Sequence, residues 1–355
     1  MLRPIGFLAI LVVLAAGLQP TGIWNKSIIG QIRFAVVAAN DLLYVPTDEM
    51  LMALSVTTGA LVWSSVPAAG ISTPVLDDSG AFIYMASDYH GVFKLNAKSG
   101  ETIWNQRETW DELMPPAVGN GSLVVTTTGG ALDGGMFYGL DSETGRIRWS
   151  LQQYNLVNQG AVIYEGIGLI ATTTILYAFV ASSGFQLWNF STASVIYTAP
   201  VTFSDVVFFG TGDGTLFALN VRTGAVRWKL INPIGAIFNT PAFAEGSIFF
   251  GTEREAILHY NDSYYRVRAA DGALVWNQSV YFSFNSGFTI VHDDLAFNSV
   301  TFGNNGDGIA AFRISDGYNL WSWLAPNNDQ INGLGVYKGA LFCGSLKGFI
   351  YALAF

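Results

Sequence analysis

Cysteine and histidine are scarce in this chain of 355 residues, which has one cysteine and three histidines. Cys343 cannot form an internal disulfide, and its apolar neighbours predict a buried, inert thiol. His90, His259 and His292 have no metal-ligand spacing to another histidine or to the cysteine. GxSxG, P-loop and HExxH motifs are also missing. The sequence therefore excludes a disulfide-stapled scaffold, and we predict no catalytic residue, no metal site and no cofactor.

Basic residues are also few. Lysine and arginine total 17 against 26 aspartates and glutamates, which gives a formal net charge of -9. A protein that neutralises nucleic-acid phosphates or binds an anionic membrane surface needs the opposite balance. The charge thus argues against a nucleic-acid partner.

Long apolar runs are missing except near the N-terminus. Arg3 precedes an apolar run at 5–18, and residues 15–17 offer a small-x-small cleavage site. This pattern predicts a signal peptide over 1–17, with a mature chain of 18–355 that is secreted, in the lumen of the secretory pathway, or periplasmic if the source is bacterial. A retained anchor is the alternative, although the run is too short to span a bilayer. No lipid-acceptor cysteine follows it, which argues against a bacterial lipoprotein.

A second apolar stretch, residues 161–181, is predicted to form strands. It contains Glu165, three consecutive threonines and two glycines, and it falls in register with a repeat described below. We therefore expect no integral membrane span in the mature chain.

One complete copy of that repeat occupies residues 204–230. A β-branched and aromatic run at 206–211 ends at a Gly-Asp-Gly turn, which predicts a hairpin with a second strand at 215–220. After another turn, Val226, Trp228 and Leu230 alternate with Arg227 and Lys229, as in a strand with one buried face. The middle strand is apolar on both sides, which is typical of a strand between two sheets.

This pattern recurs along the whole sequence. A glycine followed four residues later by a tryptophan occurs seven times, with successive glycines 41, 45, 39, 40, 48 and 45 residues apart. Periods in this range predict a propeller, because a single small sheet cannot cover both of its faces. The seven pairs are Gly59/Trp63, Gly100/Trp104, Gly145/Trp149, Gly184/Trp188, Gly224/Trp228, Gly272/Trp276 and Gly317/Trp321.

An eighth unit is divided between the two ends of the chain. Residues 333–355 supply three strands and stop before the expected tryptophan strand, while Trp24 lies in step with the repeat at the other end. We therefore predict an all-β, eight-bladed propeller of four-stranded antiparallel blades. A strand at 22–28 would pair with one at 351–355 and close the ring, which removes free edges. A monomer is expected.

The windows that end at the repeat tryptophan resemble the PQQ-like, or quinoprotein-type, β-propeller family. They read ALNVRTGAVRW at 218–228, ALSVTTGALVW at 53–63, GLDSETGRIRW at 139–149 and AFRISDGYNLW at 311–321. The resemblance implies that each tryptophan docks on the small first residue of its window and on the glycine of the next blade. Lys94 and Arg266 replace the small residue in two windows, so looser docking is expected there. The docking residues would be Trp24, Trp63, Trp104, Trp149, Trp188, Trp228, Trp276 and Trp321.

For function, the resemblance implies several classes of protein. The family's dehydrogenases bind pyrroloquinoline quinone beneath a disulfide of adjacent cysteines and hold Ca²⁺ nearby, but Cys343 has no partner for that clamp. Those enzymes are also longer. The non-catalytic members, similar to the periplasmic propeller that assists outer-membrane barrel assembly, fit the length better. We predict a non-catalytic propeller that binds a protein or peptide as a scaffold or sensor. The alternatives are a PQQ- or metal-dependent oxidoreductase that uses the tunnel mouth, and a lumenal sensor whose signalling domain belongs to another chain.

Propeller geometry indicates where such a partner would bind. Loops that lead into the innermost strands and loops between second and third strands share one face around the tunnel mouth, and loops on rigid scaffolds often carry binding residues. An ordinary solvated rim, with the contacts elsewhere, is the alternative. The candidate partner-binding residues are Asp111, Glu112, Asn158, Gln159, Asn239, Arg254, Glu255, His259, Tyr260, Asn285, Asp329, Gln330 and Asn332.

Five Asn-x-Ser sequons form a second signal. Three of them directly follow a blade tryptophan, where glycans would be accessible and would block edge pairing, as fits a eukaryotic secretory chain. Alternatively, Trp-Asn is merely a copied feature of the repeat, since Trp104-Asn105 lacks a sequon. The candidate N-glycosylation residues are Asn25, Asn120, Asn189, Asn261 and Asn277.

Overall fold

A computed structural model describes residues 19–65, 72–88, 90–107, 113–128, 134–153, 160–231, 235–253, 262–284, 289–302 and 306–355. Within these ranges the regular structure is almost wholly β, in eight separate antiparallel sheets. A 3₁₀ turn spans Pro326–Asn328. In the part of the chain so described, no helix has the length and apolar character that crossing a bilayer would need.

Each sheet is one blade, and we number the blades I to VIII around the ring. The first strand of the chain is β1 (Thr21–Ser27). Blade I contains β2 (Val37–Ala39), β3 (Leu42–Pro46), β4 (Leu51–Ser55) and β5 (Leu61–Ser65). Blade II contains β6 (Val75–Leu76), β7 (Phe82–Ser87), β8 (Gly91–Asn96) and β9 (Thr102–Gln106). Blade III contains β10 (Ala117–Gly119), β11 (Ser122–Thr126), β12 (Gly135–Asp141) and β13 (Ile147–Gln153). Blade IV contains β14 (Val162–Tyr164), β15 (Ile167–Ala171), β16 (Ile175–Val180) and β17 (Gln186–Ser191).

The remaining blades continue in the same order. Blade V contains β18 (Val201–Phe203), β19 (Val206–Gly210), β20 (Thr215–Asn220) and β21 (Val226–Ile231). Blade VI contains β22 (Ala242–Ala244), β23 (Ser247–Thr252), β24 (Asp262–Arg268) and β25 (Leu274–Val280). Blade VII contains β26 (Ser283–Phe284), β27 (Ile290–His292), β28 (Leu295–Thr301), β29 (Asp307–Arg313) and β30 (Asn319–Leu324). Blade VIII contains β31 (Ile331–Tyr337), β32 (Ala340–Ser345), β33 (Phe349–Ala354) and β1.

The ring closes through both ends of the chain, which confirms the predicted eight-bladed fold. Strand β1 pairs antiparallel with β33, from Thr21 opposite Ala354 to Ser27 opposite Phe349. Beyond the strands, the Ile28 amide donates a hydrogen bond to the Gly348 carbonyl at 2.8 Å. Because β1 becomes the outermost strand of blade VIII, the first and last described segments of the chain stabilise one another.

The hydrophobic core lies between neighbouring blades. All five residues of β19 are buried, as are most of β20, so the second and third strands are covered on both faces. Leu169 and Ala178 of blade IV, for example, pack in one buried cluster with Val207 and Phe209 of blade V. Each blade therefore buries its faces against the next, which explains why the middle strands lack the alternation of half-exposed strands.

Every blade contains a β-bulge just before its tryptophan. The bulge places one residue on the face opposite to the one that strict alternation predicts. In blade V, Trp228 lies opposite Ala218 and Val226 lies opposite Leu219, so that Arg227 is an extra, unpaired residue. The extra residue breaks the period of two. Val226 is consequently exposed, although simple alternation predicted that it would share the buried face of Trp228. The same irregularity precedes the tryptophan of the other blades.

Tryptophan docking joins successive blades in the predicted manner. The indole nitrogen of Trp188 donates to the Val221 carbonyl at 2.8 Å, and its ring lies against Gly224 of the next blade. A Cβ added at Gly224 would meet the ring at 2.7 Å, so only glycine fits. The equivalent pairs are Trp24 with Gly59, Trp63 with Gly100, Trp104 with Gly145, Trp149 with Gly184, Trp228 with Gly272 and Trp276 with Gly317. Trp321 instead packs in a buried cluster with Tyr351 and Leu353 of blade VIII.

The looser docking expected beside Lys94 and Arg266 is wrong. Trp104, opposite Lys94, donates to the Ser142 carbonyl at 3.2 Å, and Trp276, opposite Arg266, donates to the Ile314 carbonyl at 2.8 Å. These distances fall within the range of the other docking bonds. Both long side chains reach across to the next blade and so add contacts.

The connections define two faces of the ring. We call one the loop face. It carries the links between blades and the hairpins between second and third strands, among them residues 28–36, 47–50, 192–200, 211–214, 325–330 and 346–348. We call the other the turn face. It carries the remaining hairpins, among them residues 40–41, 56–60, 165–166, 204–205, 221–225 and 293–294.

Candidate partner-binding face

Many of the predicted partner-binding residues lie outside the described part of the chain. The remainder, which are Asn239, Asp329, Gln330 and Asn332, lie on or beneath the loop face of blades VI and VIII. The residues outside the described ranges are Asp111, Glu112, Asn158, Gln159, Arg254, Glu255, His259, Tyr260 and Asn285.

Asn239 lies in the wall between blades VI and VII. Its amide nitrogen donates to the Thr289 hydroxyl at 3.0 Å, and its amide oxygen accepts from the Gly251 amide at 3.0 Å. The Thr289 hydroxyl in turn donates to the Asn298 side-chain oxygen at 2.8 Å. The side chain of Asn239 is buried, so in this structure it positions the loop beneath the face.

Asp329 has a similar structural position between blades VII and VIII. Its carboxylate is fully buried and accepts hydrogen bonds from the amides of Gln330 and Lys347, at 3.0 and 3.1 Å. Burial is the main cause that raises the pKa of the neighbouring Tyr351 hydroxyl to about 12, with the Asp329 charge adding to it. Asp329 thus holds the link into blade VIII against the hairpin between β32 and β33.

Gln330 and Asn332 are the predicted residues that reach solvent. Gln330 is exposed and Asn332 is partly exposed. Asn332 is an extra residue in the pairing of β31 with β32, because the register shifts between Ile331 and Gly333. A bulge of this kind turns a side chain away from the regular ladder. These two amides are available for contact with a partner.

Sequence reasoning missed an aromatic pair on the loop face. Tyr197, in the link into blade V, is exposed, and its ring centroid lies 4.6 Å from that of the partly buried Phe238, in the link into blade VI. Gly212 provides the space for Tyr197, since a Cβ there would meet the ring at 2.7 Å. Ile231, at the end of β21 in blade V, is 62% exposed. A signal was present, because apolar residues occur in links where polar ones are usual.

Asp213 provides negative charge in the same blade as Tyr197. Burial alone would raise the pKa of its carboxyl group, but hydrogen bonds from Thr211 and Thr215 outweigh that effect and lower it. The Thr211 hydroxyl donates to the carboxylate at 2.6 Å and the Thr215 amide donates at 3.2 Å. The residue is exposed at the tip of the hairpin and carries a full charge at neutral pH.

The described residues offer little that could carry redox or metal chemistry. Cys343 is buried, and burial raises the pKa of its thiol, as expected for an inert core residue. Among the described side chains, no group of three or more histidine, cysteine, aspartate or glutamate residues is arranged to hold a metal ion.

Four of the five sequon asparagines can be placed. Asn25, Asn189 and Asn277 are exposed on the outermost strands of blades VIII, IV and VI, and Asn120 is exposed in a turn. Asn261 lies outside the described residues. Exposure makes modification sterically feasible, and glycosylation itself stays a prediction.

Comparison with known proteins places this architecture in a family. The family model described as outer membrane protein assembly factor BamB matches residues 47–195 and 171–334. The protein of that name from Moranella endobia (strain PCIT) is 24% identical over 321 residues, which cover 85% of this chain and 76% of the relative. The one from Burkholderia pseudomallei (strain K96243) is 26% identical over 299 residues, which cover 78% and 71%.

Solved structures support the fold. The crystal structure of BamB from Moraxella catarrhalis matches with a TM-score of 0.73 and 13% identity, covering 95% of this chain and 98% of that one. A quinohemoprotein alcohol dehydrogenase from Comamonas testosteroni matches with a TM-score of 0.72 and 11% identity, covering 94% and 76%. Because the family model spans most of the sequence, the chain belongs to the family of the outer membrane protein assembly factor BamB, a PQQ-like β-propeller.

Proposed function

We propose that this protein is a non-catalytic, extracytoplasmic propeller that binds a protein partner through its loop face and acts in the assembly of outer-membrane proteins. The observation that carries the proposal is the presence on the loop face of the exposed Tyr197, packed against the partly buried Phe238, and of the solvent-accessible amides of Gln330 and Asn332. The relatives matched over most of the chain bear the name of an assembly factor, which supports the assembly role.

The oxidoreductase alternative is less well supported. The likeness to a quinohemoprotein dehydrogenase concerns the fold alone. Proteins of unrelated function share this fold. The single, buried Cys343 cannot build a clamp of adjacent cysteines. Dye-linked oxidation of alcohols or sugars after addition of quinone and Ca²⁺ would support the enzyme instead.

The proposed location is the periplasm, reached by means of a signal peptide at 1–17. The apolar run at 5–18 and the family's name both support export. The chain is proposed to act as a monomeric scaffold. If the source adds N-glycans, the exposed Asn25, Asn189 and Asn277 are the proposed acceptors, and a shift in gel mobility after glycosidase treatment would test them.

Co-purification tests the proposed partner binding. The tagged protein is isolated from its native host as wild type, as Tyr197→Ala/Asn332→Ala, and as Arg254→Ala/His259→Ala/Tyr260→Ala. The matched control carries Asp78→Asn and Glu101→Gln on the turn face, where both residues are exposed. We expect a defined partner to accompany the wild type and the control and to be depleted from the loop-face variants. Equal recovery with all four proteins would contradict the proposal.

A further inference from the structure

The outermost strands of the blades differ in how far charge protects them from pairing with another chain. An edge strand presents backbone N–H and C=O groups to its surroundings, and charged side chains are a common means of blocking such an edge. Lys26 lies on β1, Arg148 on β13, and Arg227 and Lys229 on β21. The other five outermost strands, β5, β9, β17, β25 and β30, contain no charged residue. These five edges therefore lack that protection.

Among the five, β25 of blade VI offers the longest regular edge. Beyond its bulge, the five consecutive residues from Trp276 to Val280 pair with β24 in unbroken register. The corresponding segments have four residues in β17 and β30 and three in β5 and β9. Five of the seven residues of β25 are exposed, against four of six in β17 and one of six in β30. Strand β25 is thus the outermost strand best suited to accept another strand.

The side chains of β25 fasten this edge to the neighbouring blade. The indole nitrogen of Trp276 donates to the Ile314 carbonyl at 2.8 Å, and the amide nitrogen of Gln278 donates to the Asp316 carbonyl at 3.0 Å. Within the described ranges, β24 is the strand that pairs with β25, and it does so along one edge only. Because the strand is already held in place, a partner that pairs with its other edge has little of this protein left to order.

Exposed apolar side chains lie at both ends of the strand. Leu274 and Val275 are 54% and 50% exposed at its beginning, and Tyr281, directly after its end, is 80% exposed. The exposed residues between them, Asn277, Gln278 and Ser279, are polar but uncharged. A surface of this kind offers apolar contact and hydrogen bonds, and it provides no charge to neutralise a charged ligand. The composition of the edge therefore favours an uncharged partner.

From the free length and the composition of this edge, we infer that β25 binds an extended, uncharged segment of another protein, which adds to blade VI as a fifth strand. Backbone hydrogen bonds to the edge supply the affinity, and apolar side chains of the segment pack on Leu274, Val275 and Tyr281. The site lies on the outer wall of the ring, so the inference goes beyond the proposed function of the loop face. A glycan on Asn277 would cover the edge, so the inference concerns the unmodified chain.

A labelled synthetic peptide tests the inference with the intact protein. The peptide alternates threonine with valine, matches β25 in length and carries a fluorophore, and its binding is measured by fluorescence anisotropy. The control peptide has the same side chains, but its backbone amides are N-methylated and cannot donate hydrogen bonds. We expect the first peptide to bind, with an affinity that salt leaves unchanged, and the methylated peptide not to bind. Equal binding of the two peptides, or no binding of either, would overturn the inference.

Two lysine substitutions locate the binding edge. Asn277→Lys adds a charge in the middle of β25 and should weaken peptide binding about 10-fold, because pairing would desolvate the ammonium group. Asn189→Lys places the same charge at the equivalent position of β17, directly after Trp188, and should leave binding unchanged. Both asparagines are exposed, so the fold should tolerate both changes. Equal weakening by the two variants would overturn the assignment to β25.

Sedimentation velocity distinguishes a foreign segment from a second copy of this chain. We expect the wild type and Asn277→Lys to sediment alike as monomers. A wild-type dimer that Asn277→Lys dissociates would show that β25 pairs with itself, and would contradict the proposed partner.

Discussion

At the scale of single residues, a small set of contacts repeats around the ring. Seven of the eight repeat tryptophans, all except Trp321, donate a hydrogen bond to the carbonyl three residues before the next blade's glycine, as Trp188 does with Val221 and Gly224. Other donors use the same carbonyl in some blades. Tyr44 and Trp63 both donate to Ala97, each at 3.2 Å. The glycine of each such contact is required for two reasons. It adopts a positive φ, and its lack of a Cβ leaves room for the indole ring.

Gly224→Ala should destabilise the fold more than the same change at a glycine that has no ring beside it. Gly224 has a φ of +70°, and an added Cβ would approach Trp188 to 2.7 Å. Backbone strain and overpacking together predict a loss of about 3 kcal/mol in the free energy of unfolding. Gly246→Ala is the matched control, because its φ is +67° and nothing lies within 4 Å. Urea unfolding measures the free energy of unfolding of the two variants. Equal losses for Gly224→Ala and Gly246→Ala would show that the tryptophan contact is unimportant.

Glu143→Gln should destabilise the protein through Lys94. The ammonium group of Lys94 is 1% exposed, and it donates to the Glu143 carboxylate at 2.7 Å while lying 4.2 Å from the centre of the Phe82 ring. Desolvation lowers the pKa of Lys94, but hydrogen bonds with Glu143 and Tyr84 outweigh it and raise the pKa above 10.5. Loss of the charged acceptor predicts a cost of about 2 kcal/mol at pH 7.

The stability that Glu143 provides through Lys94 should fall at high pH. Because the pKa of Lys94 is raised in the folded state, the pair contributes its full stability below pH 10.5 and loses it as the pH rises through the folded pKa. The wild type and Glu143→Gln should therefore differ equally at pH 7 and pH 9 and converge above pH 10.5. Asp271→Asn, which breaks the exposed pair with Arg268, is the control and should leave stability nearly unchanged. A difference that grows above pH 10.5 would contradict the account.

At the scale of elements, strand order and ring closure could be predicted from the sequence. Turn residues, β-branched runs and the Gly/Trp period fix where each strand begins, and the seven complete copies make the divided eighth visible. The bulge before each tryptophan could not be predicted, because one extra residue such as Arg227 leaves no mark on a pattern read with a period of two.

The candidate site was harder to predict than the strands. Loop membership correctly assigned Asn239 and Asp329 to the links between blades, but it cannot tell whether a side chain points outward or into the wall. Both side chains are buried and hydrogen-bonded, because the loops need internal acceptors and donors where water is excluded. Tyr197 and Phe238 were overlooked for the converse reason, since apolar residues in loops are usually attributed to packing.

Removal of β1 should destabilise the whole ring. A chain that starts at residue 28 lacks Trp24 and leaves the edge of β33 unpaired, whereas a chain that starts at residue 19 keeps both. We expect the shorter chain to unfold at a temperature at least about 10 °C lower, because it loses the packing of Trp24 and a full strand of hydrogen bonds. Identical melting temperatures for the two chains would show that β1 does not close the ring.

At the scale of the whole molecule, the proposed function assigns structural and interaction roles to opposite faces of the ring. Among the described residues, the turn face carries ion pairs between neighbouring blades, such as Lys94 with Glu143 and Lys338 with Asp41, and the glycines that receive the tryptophans, so it contributes to blade-to-blade cohesion. The loop face carries the aromatic pair, the amides of Gln330 and Asn332, and the exposed carboxylate of Asp213. A rigid eight-bladed ring can hold such a surface in place without moving parts, as the proposed binding of a partner requires.

Photo-crosslinking in the native host tests this central claim most directly. A photoreactive amino acid replaces Asp213 on the loop face in one protein and Asp78 on the turn face in another, and adducts are resolved on denaturing gels after irradiation. The account predicts a discrete adduct with a partner protein from position 213 and none from position 78. An adduct from position 78 alone would contradict it.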